Sequence, residues 1–208
     1  MIFTFKDILT PDEILRLRFL NKKILDRIYY FDYVKMINDD RVFARSIFLE
    51  CDKNIIIIGA EESWRADGED FQRLRVDNIS DIDNVKEYVK TFFPNTVSRK
   101  KELALKCIEM EVRIDRVIWN REHFKYRNQD NYWKREWDNM IVLFLENNKQ
   151  IILECVTDCL APCIVLYNYS DLNSYLKKYN ELDRLIGNWN PEDTYTADIL
   201  EYNRCLLE

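Results

Sequence analysis

The scarcity of glycine constrains this chain more than any other feature of its sequence. Only three of its 208 residues are glycine, namely Gly59, Gly68 and Gly187. Loops that cradle a phosphate or a dinucleotide need clustered glycines, because a backbone without side chains can approach the anion closely. These three glycines are too far apart to form such a loop, which argues strongly against a P-loop or a Rossmann-type nucleotide site.

The composition predicts a globular protein. Apolar residues make up 47% of the chain and aromatic residues 13%, and the net charge is −6. A disordered chain has few aromatics and more net charge per residue. No apolar run reaches the roughly 20 residues that span a bilayer, and the first residues do not resemble a secretory signal. We therefore expect a cytoplasmic protein without membrane association, whose six cysteines are reduced thiols.

Four segments carry the signals of helix starts. Thr10 and Glu13 can form a capping box around Pro11, and apolar residues follow at helical spacing. The other three segments begin with a capping residue, which is Ser80, Ser170 or Asn190. The predicted helices are 11–30, 81–93, 170–187 and 190–206.

Two β-hairpins are predicted from runs of strand-forming residues on either side of a short turn. The first joins 46–50 to 55–58, and the second joins 140–146 to 150–156. Their sequences resemble each other, because residues 48–57 and 144–153 are identical at six positions and conservative at three more. This echo is open to two interpretations, a duplicated unit or two hairpins of similar composition.

The remaining segments complete an α+β prediction. Residues 61–70 are polar and are predicted to form a loop. The pattern of residues 102–120 fits the period of a helix and the period of a strand. We interpret these residues as helix to about Lys106 and strand from Ile108. We therefore expect an α+β fold in which antiparallel hairpins pack with amphipathic helices. It would be a single domain over 1–208, with 1–97 and 98–208 as halves if the echo is a duplication.

Cysteine and histidine offer few routes to metal or covalent chemistry. Cys155, Cys159 and Cys163 recur at every fourth position, so they could begin a zinc site with His123 or Asp158 as the fourth ligand. A proline interrupts any helix there and the neighbours are apolar, so we interpret these cysteines as core residues. No hydrolase or metalloprotease motif is present. We expect no metal, no cofactor and no catalytic residue.

Residues 113–135 form a basic–aromatic stretch. Seven bases stand against three acids there, a net charge of +4, and five aromatic residues lie among them. This pattern is typical of a groove for single-stranded nucleic acid and also of a protein–protein hot spot. The rest of the chain then carries −10 and would repel a polyanion, so we favour a protein partner. The nucleic-acid interpretation would assign binding to Arg121, Lys125, Arg127 and Trp133.

Two acidic segments also carry aromatic residues. Residues 61–70 hold five acids and one base, and residues 181–208 hold seven acids and two bases. An acidic surface with aromatic anchors suits a basic protein partner, although the ordinary solvated face of an acidic protein has the same composition. The predicted partner-binding residues are Trp64, Asp67, Glu69, Asp70, Trp189, Glu192, Asp193, Tyr195, Glu201 and Tyr202.

The expected function follows by elimination rather than from a motif. We expect a non-enzymatic protein-binding protein, in its most concrete form an inhibitor or immunity-type protein that occludes a basic partner such as a toxin nuclease. A nucleic-acid-binding protein that uses the basic–aromatic stretch is the alternative. An enzyme with an unrecognised carboxylate or cysteine site is the second alternative.

Overall fold

The computed structural model describes residues 2–31, 41–64, 70–81, 84, 85, 88, 105–128, 131–158, 161–169 and 198–208. The elements are, in chain order, β1 (Ile2–Asp7), α1 (Pro11–Phe19), β2 (Ile24–Phe31), β3 (Arg41–Ala44), β4 (Ser46–Cys51), β5 (Asn54–Trp64), β6 (Asp70–Ile79), β7 (Leu105–Asn128), β8 (Asn131–Leu145), β9 (Gln150–Asp158), β10 (Ala161–Tyr169) and β11 (Asp198–Leu207).

The strands form one large sheet that curls into a nearly closed, barrel-like shape. Its order is β3-β10-β9-β8-β7-β2-β4-β5-β6, with β1 beside β8 and β11 beside β7. Every pair is antiparallel except β1 with β8. The expected α+β fold class is therefore wrong, because the described residues are mostly sheet and stretches predicted as helix are strands.

Helix α1 begins where the sequence predicts. The Thr10 hydroxyl accepts a hydrogen bond from the Glu13 amide at 3.3 Å, and Glu13 Oε2 accepts one from the Thr10 amide at 2.8 Å. The Glu13 carboxylate is buried and also accepts hydrogen bonds from the Val76 amide at 3.2 Å and from the Arg73 guanidinium. The capping box therefore fastens the start of α1 to β6.

The predicted extension of α1 to residue 30 is wrong, because the helix ends at Phe19 and β2 follows. A bulge leaves Asp26 without a register partner on either neighbouring strand. Leu25 and Ile28 are consequently both buried, at 0% and 1% exposure. The predicted helical stripe ran through Ile24 instead of Leu25, and Ile24 is 48% exposed on the other side of the strand.

Both predicted hairpins are confirmed. Asp52 and Lys53 join β4 to β5 with φ angles of 50° and 66°, as in a type I′ turn. β8 and β9 pair on either side of a turn that contains Asn148, whose φ is 63°. The echo falls on these two hairpins, and its origin by duplication stays a prediction. The loop predicted over 61–70 is wrong at both ends, because β5 continues to Trp64 and β6 begins with the final residue of that stretch; 65–69 lie outside the described residues.

The ambiguous stretch 102–120 is strand at every described position. β7 runs for 24 residues and includes Leu105 and Lys106, so the helix predicted to reach Lys106 is wrong there. The alternation from Ile108 onward predicted the strand correctly. A second irregularity lies at Glu111, which has a φ of 47° where the registers with β2 shift.

The predicted C-terminal helix is wrong over 198–207, which form β11 against β7. Tyr202 and Leu206 are four residues apart, and this spacing fits one face of a helix and alternate positions of a strand equally well. The pattern alone therefore does not separate the two structures.

The structure describes a few residues of one of the other two predicted helices and none of the other. Within 81–93, Asn84, Val85 and Tyr88 are described and helical, whereas Asp81 is described and is not. The helix predicted over 170–187 lies outside the described residues. No helix in the described ranges has the length and apolarity needed to cross a membrane.

The main core fills the inside of the barrel-like sheet. Alternate positions of the strands supply its walls, and α1 contributes Leu17 and Leu20, both fully buried. A second apolar cluster covers the outer side of the β4–β5 hairpin, where the rings of Phe48 and Tyr88 meet edge to face at 6.3 Å. The β7–β8 hairpin is longer than the apolar core, and its continuation carries the charged residues considered next.

Candidate functional site

The β7–β8 hairpin gains a new strand on each side as it leaves the core. Residues 119–127 of β7 pair with β11, and residues 132–137 of β8 pair with β1. The resulting four strands stand in the order β1-β8-β7-β11. We call this part of the sheet the hairpin extension, and it contains most of the basic–aromatic stretch.

One side of the hairpin extension carries charged residues. They are the residues at every second position of β7 and their cross-strand partners on β8, which are Arg121, His123, Lys125, Lys134, Glu136 and Asp138. Lys6 of β1 joins them, because it is aligned with Glu136 and forms an ion pair with it at 3.3 Å. We call this side the cation face.

The alternate rows form the opposite side, which we call the aromatic face. Their members on β1, β7 and β8 are Phe5, Asp7, Glu122, Arg135 and Trp137. Trp133 belongs to the same rows by its position on β8, and therefore not to the rows of Arg121, Lys125 and Arg127. The register thus separates Trp133 from Arg121, Lys125 and Arg127, although Arg135 lies on the aromatic face and Tyr132, aligned with Arg127, lies on the cation face.

Arg121 is held by a buried carboxylate. Its guanidinium donates to Asp138 through Nε at 2.7 Å and Nη2 at 2.8 Å, and the Leu9 amide donates to the same carboxylate at 2.8 Å. The Asp138 side chain is 0% exposed. The hydrogen bonds to Asp138 raise the pKa of Arg121 above its ordinary value, so this guanidinium stays charged and paired.

Arg135 is held in a similar way on the aromatic face. Its Nε lies 3.1 Å from Asp7 Oδ2, and the two side chains are only 12% and 6% exposed. The guanidinium also stacks over the ring of Trp137, 4.4 Å from the ring centroid. Arg135 and Trp137 therefore contact each other instead of presenting themselves to a ligand.

Two more bases of the stretch are paired near the start of the hairpin. Arg113 lies 3.6 Å from both Asp115 and Glu146, and Arg116 lies 3.0 Å from Glu208. Together with Arg121 and Arg135, four of the seven bases in the stretch are neutralised by carboxylates of the same chain. The net charge of +4 counted along the sequence therefore overstates the positive charge that a ligand would meet.

The described end of the acidic C-terminal segment, 198–208, lies beside the basic–aromatic stretch. Across the β11–β7 ladder, Glu201 is aligned with Lys125 and Asp198 with Arg127, while Tyr202 is aligned with Phe124. The two regions of opposite charge are distant in the sequence but neighbours in the sheet. Glu201 and Tyr202 therefore belong to the hairpin extension.

The other predicted partner-binding residues are placed only in part. Trp64 and Asp70 are aligned with each other at the far end of the β5–β6 pair. Nearby on β5, Glu61 lies 3.8 Å from Arg75. The predicted residues outside the described part of the chain are Asp67, Glu69, Trp189, Glu192, Asp193 and Tyr195.

A buried polar group beside the hairpin extension was missed by sequence reasoning. Asn120 donates through Nδ2 to Glu122 at 3.1 Å and to Asn139 at 2.8 Å, and each of these three residues is 1% exposed. Asn139 is the extra residue of a bulge, since the register passes from Asn120–Met140 to Arg121–Asp138. The available signal was the adjacent polar pair at 138–139, which stands directly before the apolar run 140–145.

The candidate metal ligands that the structure describes lie apart from one another. Cys155 lies in the barrel core at 1% exposure and is aligned with Ile164, whereas Cys163 is aligned with Val156 in the neighbouring row. Cys159 lies outside the described residues, and His123 stands on the hairpin extension beside Glu136. Among the described residues no group of three or more potential ligands has metal-binding geometry.

The chemistry available to the hairpin extension is recognition of charge at an exposed sheet surface. Its cations lie among carboxylates, and the large hydrophobic residues exposed in its described part are Tyr132, at 38%, and Leu206, at 45%. Comparison of the chain with protein-family models, curated proteins and solved structures finds no match.

Proposed function

We propose that the chain is a non-enzymatic protein-binding protein whose partner is basic. The observation that carries this proposal is the internal neutralisation of the basic–aromatic stretch. Four of its seven bases are paired with carboxylates of the same chain, two of them in largely buried ion pairs. Because these ion pairs are neutral, the net charge of −6 comes from acids outside them. Those acids favour a cationic partner.

A guanidinium that is held in a buried ion pair is poorly placed to bind an anion of a ligand. To bind a phosphate, Arg121 would have to leave Asp138, and the fully buried carboxylate would remain without its counter-ion. Breaking such a pair costs about 3–5 kcal/mol. A phosphate contact at a surface does not offset a cost of that size, so we do not assign Arg121 to nucleic acid.

The nucleic-acid interpretation also loses Trp133 as a stacking partner beside the lysines, and, of the aromatic residues in the stretch, Tyr132, aligned with Arg127, stays on their side of the sheet. A groove for single strands needs aromatic side chains next to its cations, and the sheet register assigns Trp133 and Trp137 to rows that alternate with those of Lys125 and Lys134. We therefore make protein binding the proposal. The immunity-type or toxin-inhibitor class expected from the sequence has no structural observation behind it, and the proposal stops at a basic protein.

The partner would occupy acidic surface, and the C-terminal acids are the first region to test. By register Glu201 is aligned with Lys125, a residue of opposite charge. Glu192 and Asp193 are therefore the better positions for charge reversal. Aromatic residues near them would supply the affinity that exposed charges alone rarely give.

The experiment is affinity capture from native lysate with two variants of equal charge. Glu192→Lys/Asp193→Lys and Asp12→Lys/Glu111→Lys each move the net charge from −6 to −2. Asp12 and Glu111 are exposed and lie on α1 and β7. We expect the wild type and the Asp12/Glu111 variant to retain a basic protein that the Glu192/Asp193 variant loses.

Two results would contradict the proposal, and a third would move the binding surface away from the C-terminal acids. The first is capture of an acidic protein or of nucleic acid in place of a basic protein. The second is equal loss of the partner by both variants, which would indicate dependence on net charge alone. The third is retention by both, which would exclude the C-terminal acids. Circular dichroism of each variant confirms that it is folded.

A further inference from the structure

Strand β6 ends the sheet, and side chains of α1 bind its outer edge. Among the described strands β6 is the last in the sheet order and pairs only with β5, where Val76 is aligned with Ile58. The Val76 amide nevertheless donates to Glu13 Oε1 at 3.2 Å, and the Val76 carbonyl oxygen accepts from Arg16 Nη1 at 3.1 Å. Both backbone groups of Val76 therefore point away from β5, toward the outer edge of the sheet.

Glu13 and Arg16 take the place of one residue of a further strand. In an antiparallel ladder, the two residues of a hydrogen-bonded pair each offer one amide donor and one carbonyl acceptor to the other. Here the carboxylate is the acceptor and the guanidinium is the donor. The Glu13 carboxylate also accepts hydrogen bonds from Thr10 and Arg73, so it is held in position at the edge.

The next backbone amide on this edge is bound by a side chain as well. Asn78 lies two residues after Val76, so its amide faces the same edge of the strand. This amide donates to Asp77 Oδ1 at 2.9 Å. We call the side chains of Glu13, Arg16 and Asp77 the edge cover. Natural sheets protect edge strands with helices and charged side chains, because an open edge is a template for pairing with another chain.

The segment under the edge cover is complementary to a second copy of itself. If two β6 strands paired antiparallel about Val76, Arg75 of each copy would stand opposite Asp77 of the other. Within one chain these two residues lie 3.2 Å apart, with 27% and 26% of their side chains exposed. A pair of this exposure contributes little to stability, so it can be exchanged for cross-strand pairs between two copies at small cost.

We propose that the edge cover prevents β6 from pairing with β6 of a second copy of this chain. Release of Arg16 would free the Val76 carbonyl oxygen to accept the Val76 amide of the second copy. The opposite charges of Arg75 and Asp77 make this chain itself the matching partner. The inference goes beyond the proposed function, because it concerns self-association and not the binding of a basic protein. Failure of either proposal leaves the other standing.

The test is sedimentation velocity of the full chain over a range of concentrations. The variant is Arg16→Met, and the matched control is Arg18→Met, because Arg18 also lies on α1 but donates to the Glu208 carbonyl oxygen at 3.0 Å. Both variants change the net charge from −6 to −7. We expect Arg16→Met to dimerise with a dissociation constant about tenfold or more below that of the wild type and of Arg18→Met, because one competing hydrogen bond is lost.

A second substitution identifies the surface that forms the dimer. Asp77→Lys, added to Arg16→Met, should reverse the gain in association, because Arg75 of each copy would then face a positive charge. A dimer that persists in the double variant would place the contact on another surface and overturn the proposal. Equal association of Arg16→Met and Arg18→Met would show that the edge cover does not prevent pairing. Circular dichroism confirms that each variant is folded.

Hydrogen exchange of the ¹⁵N-labelled wild type tests the edge cover without any substitution. The amides of Val76 and Asn78 should exchange slowly at concentrations where the wild type does not self-associate, because side-chain oxygens hold them. Exchange of the Val76 amide as fast as in an unfolded chain would show that Glu13 leaves the edge open, and the proposal would fall.

Discussion

Arg121 and Asp138 form a buried ion pair at the base of the hairpin extension. Two guanidinium nitrogens lie 2.7 and 2.8 Å from the carboxylate oxygens, and the Asp138 side chain is fully buried. The same carboxylate accepts a hydrogen bond from the Leu9 amide, just before α1 begins. One buried acid therefore connects β7, β8 and the segment between β1 and α1.

The first prediction concerns the loss of this pair. Arg121→Met keeps an apolar stem of similar length but leaves the buried Asp138 without its counter-ion. We expect the free energy of unfolding to fall by about 3–5 kcal/mol. Urea denaturation followed by tryptophan fluorescence measures the change.

An exposed pair supplies the control for Arg121→Met. Lys6 and Glu136 lie 3.3 Å apart with 58% and 31% of their side chains exposed. Lys6→Met should therefore cost less than about 1 kcal/mol. Equal losses in the two variants would mean that burial does not set the strength of the Arg121–Asp138 pair.

The fold was predictable where the stabilising interactions join residues that are close together in the sequence. The Thr10–Glu13 capping box needs only four residues, and it gave the start of α1 correctly. The β4–β5 and β8–β9 hairpins were found because strand-forming runs flank a short polar turn. In each case the deciding interactions lie within a few residues of one another along the chain.

Prediction failed where a bulge altered the strand period. In β2 the predicted helical stripe included Ile24 and Ile28, but with the bulge at Asp26 Ile24 is 48% exposed while Ile28 is buried, so the two do not share a face. Residues 198–207 have a four-residue spacing that both structures allow, and pairing with β7 decides for the strand. A tertiary partner cannot be read from a local pattern.

The sequence predicted which residues belong to the candidate site but not which side of the sheet each of them lies on. Sequence alone shows that Arg121 and Trp133 lie in one basic–aromatic stretch, yet the assignment of each to a row depends on the hairpin register. That register contains a bulge at Asn139, which moves every later row by one position. The Arg121–Asp138 pair could not be inferred before the bulge was known.

The second prediction concerns Gly59 and Ser46, which face each other across β4 and β5. A Cβ added to Gly59 would lie 2.9 Å from Ser46 Oγ, which is too close. We expect Gly59→Ala to lower the free energy of unfolding by about 1–2 kcal/mol. Urea denaturation of the variant and the wild type gives the difference.

A double-mutant cycle identifies the cause of this loss. Ser46 Oγ is buried without a hydrogen-bond partner in the described structure, so Ser46→Ala alone should be neutral or slightly stabilising. With Oγ removed, the nearest atom to the new Cβ is the Arg45 carbonyl oxygen at 3.6 Å. Gly59→Ala should then cost nothing, and additive losses would assign the cost of Gly59→Ala to another contact.

The third prediction concerns the backbone at Glu111. Its φ of 47° is a left-handed conformation that costs a side-chain-bearing residue about 1–2 kcal/mol, and the residue is exposed. We expect Glu111→Gly to raise the free energy of unfolding by up to about 1 kcal/mol, because glycine also gains entropy in the unfolded chain. Thermal unfolding of the two proteins compares them.

Glu111→Ala is the matched control for that change. It removes the same side chain beyond Cβ but keeps the backbone strain, so its stability should stay near that of the wild type. If alanine and glycine stabilise the protein equally, the effect comes from the lost charge and not from φ.

The fourth prediction concerns the protonation of two cysteines. Burial, assisted by Asp26 and Asp52, raises the pKa of Cys51 from its ordinary value of 9.0 to about 12. Burial and the nearby Glu109 also raise the pKa of Cys107, but that residue is exposed. At pH 9 iodoacetamide should therefore modify Cys107 well before Cys51, as peptide mass spectrometry of the native protein will measure.

The same shift makes stability depend on pH in a defined window. Because the folded-state pKa of Cys51 lies above its unfolded value, the folded protein holds this proton more tightly, and the stability this contributes is complete below pH 9. The contribution is lost as the pH rises from 9 toward 12. Cys51→Ala should therefore lose less stability than the wild type between these pH values, when each is compared with its own stability at pH 8. Parallel curves for the two proteins would show that the buried thiol releases its proton as readily in the folded chain as in the unfolded one.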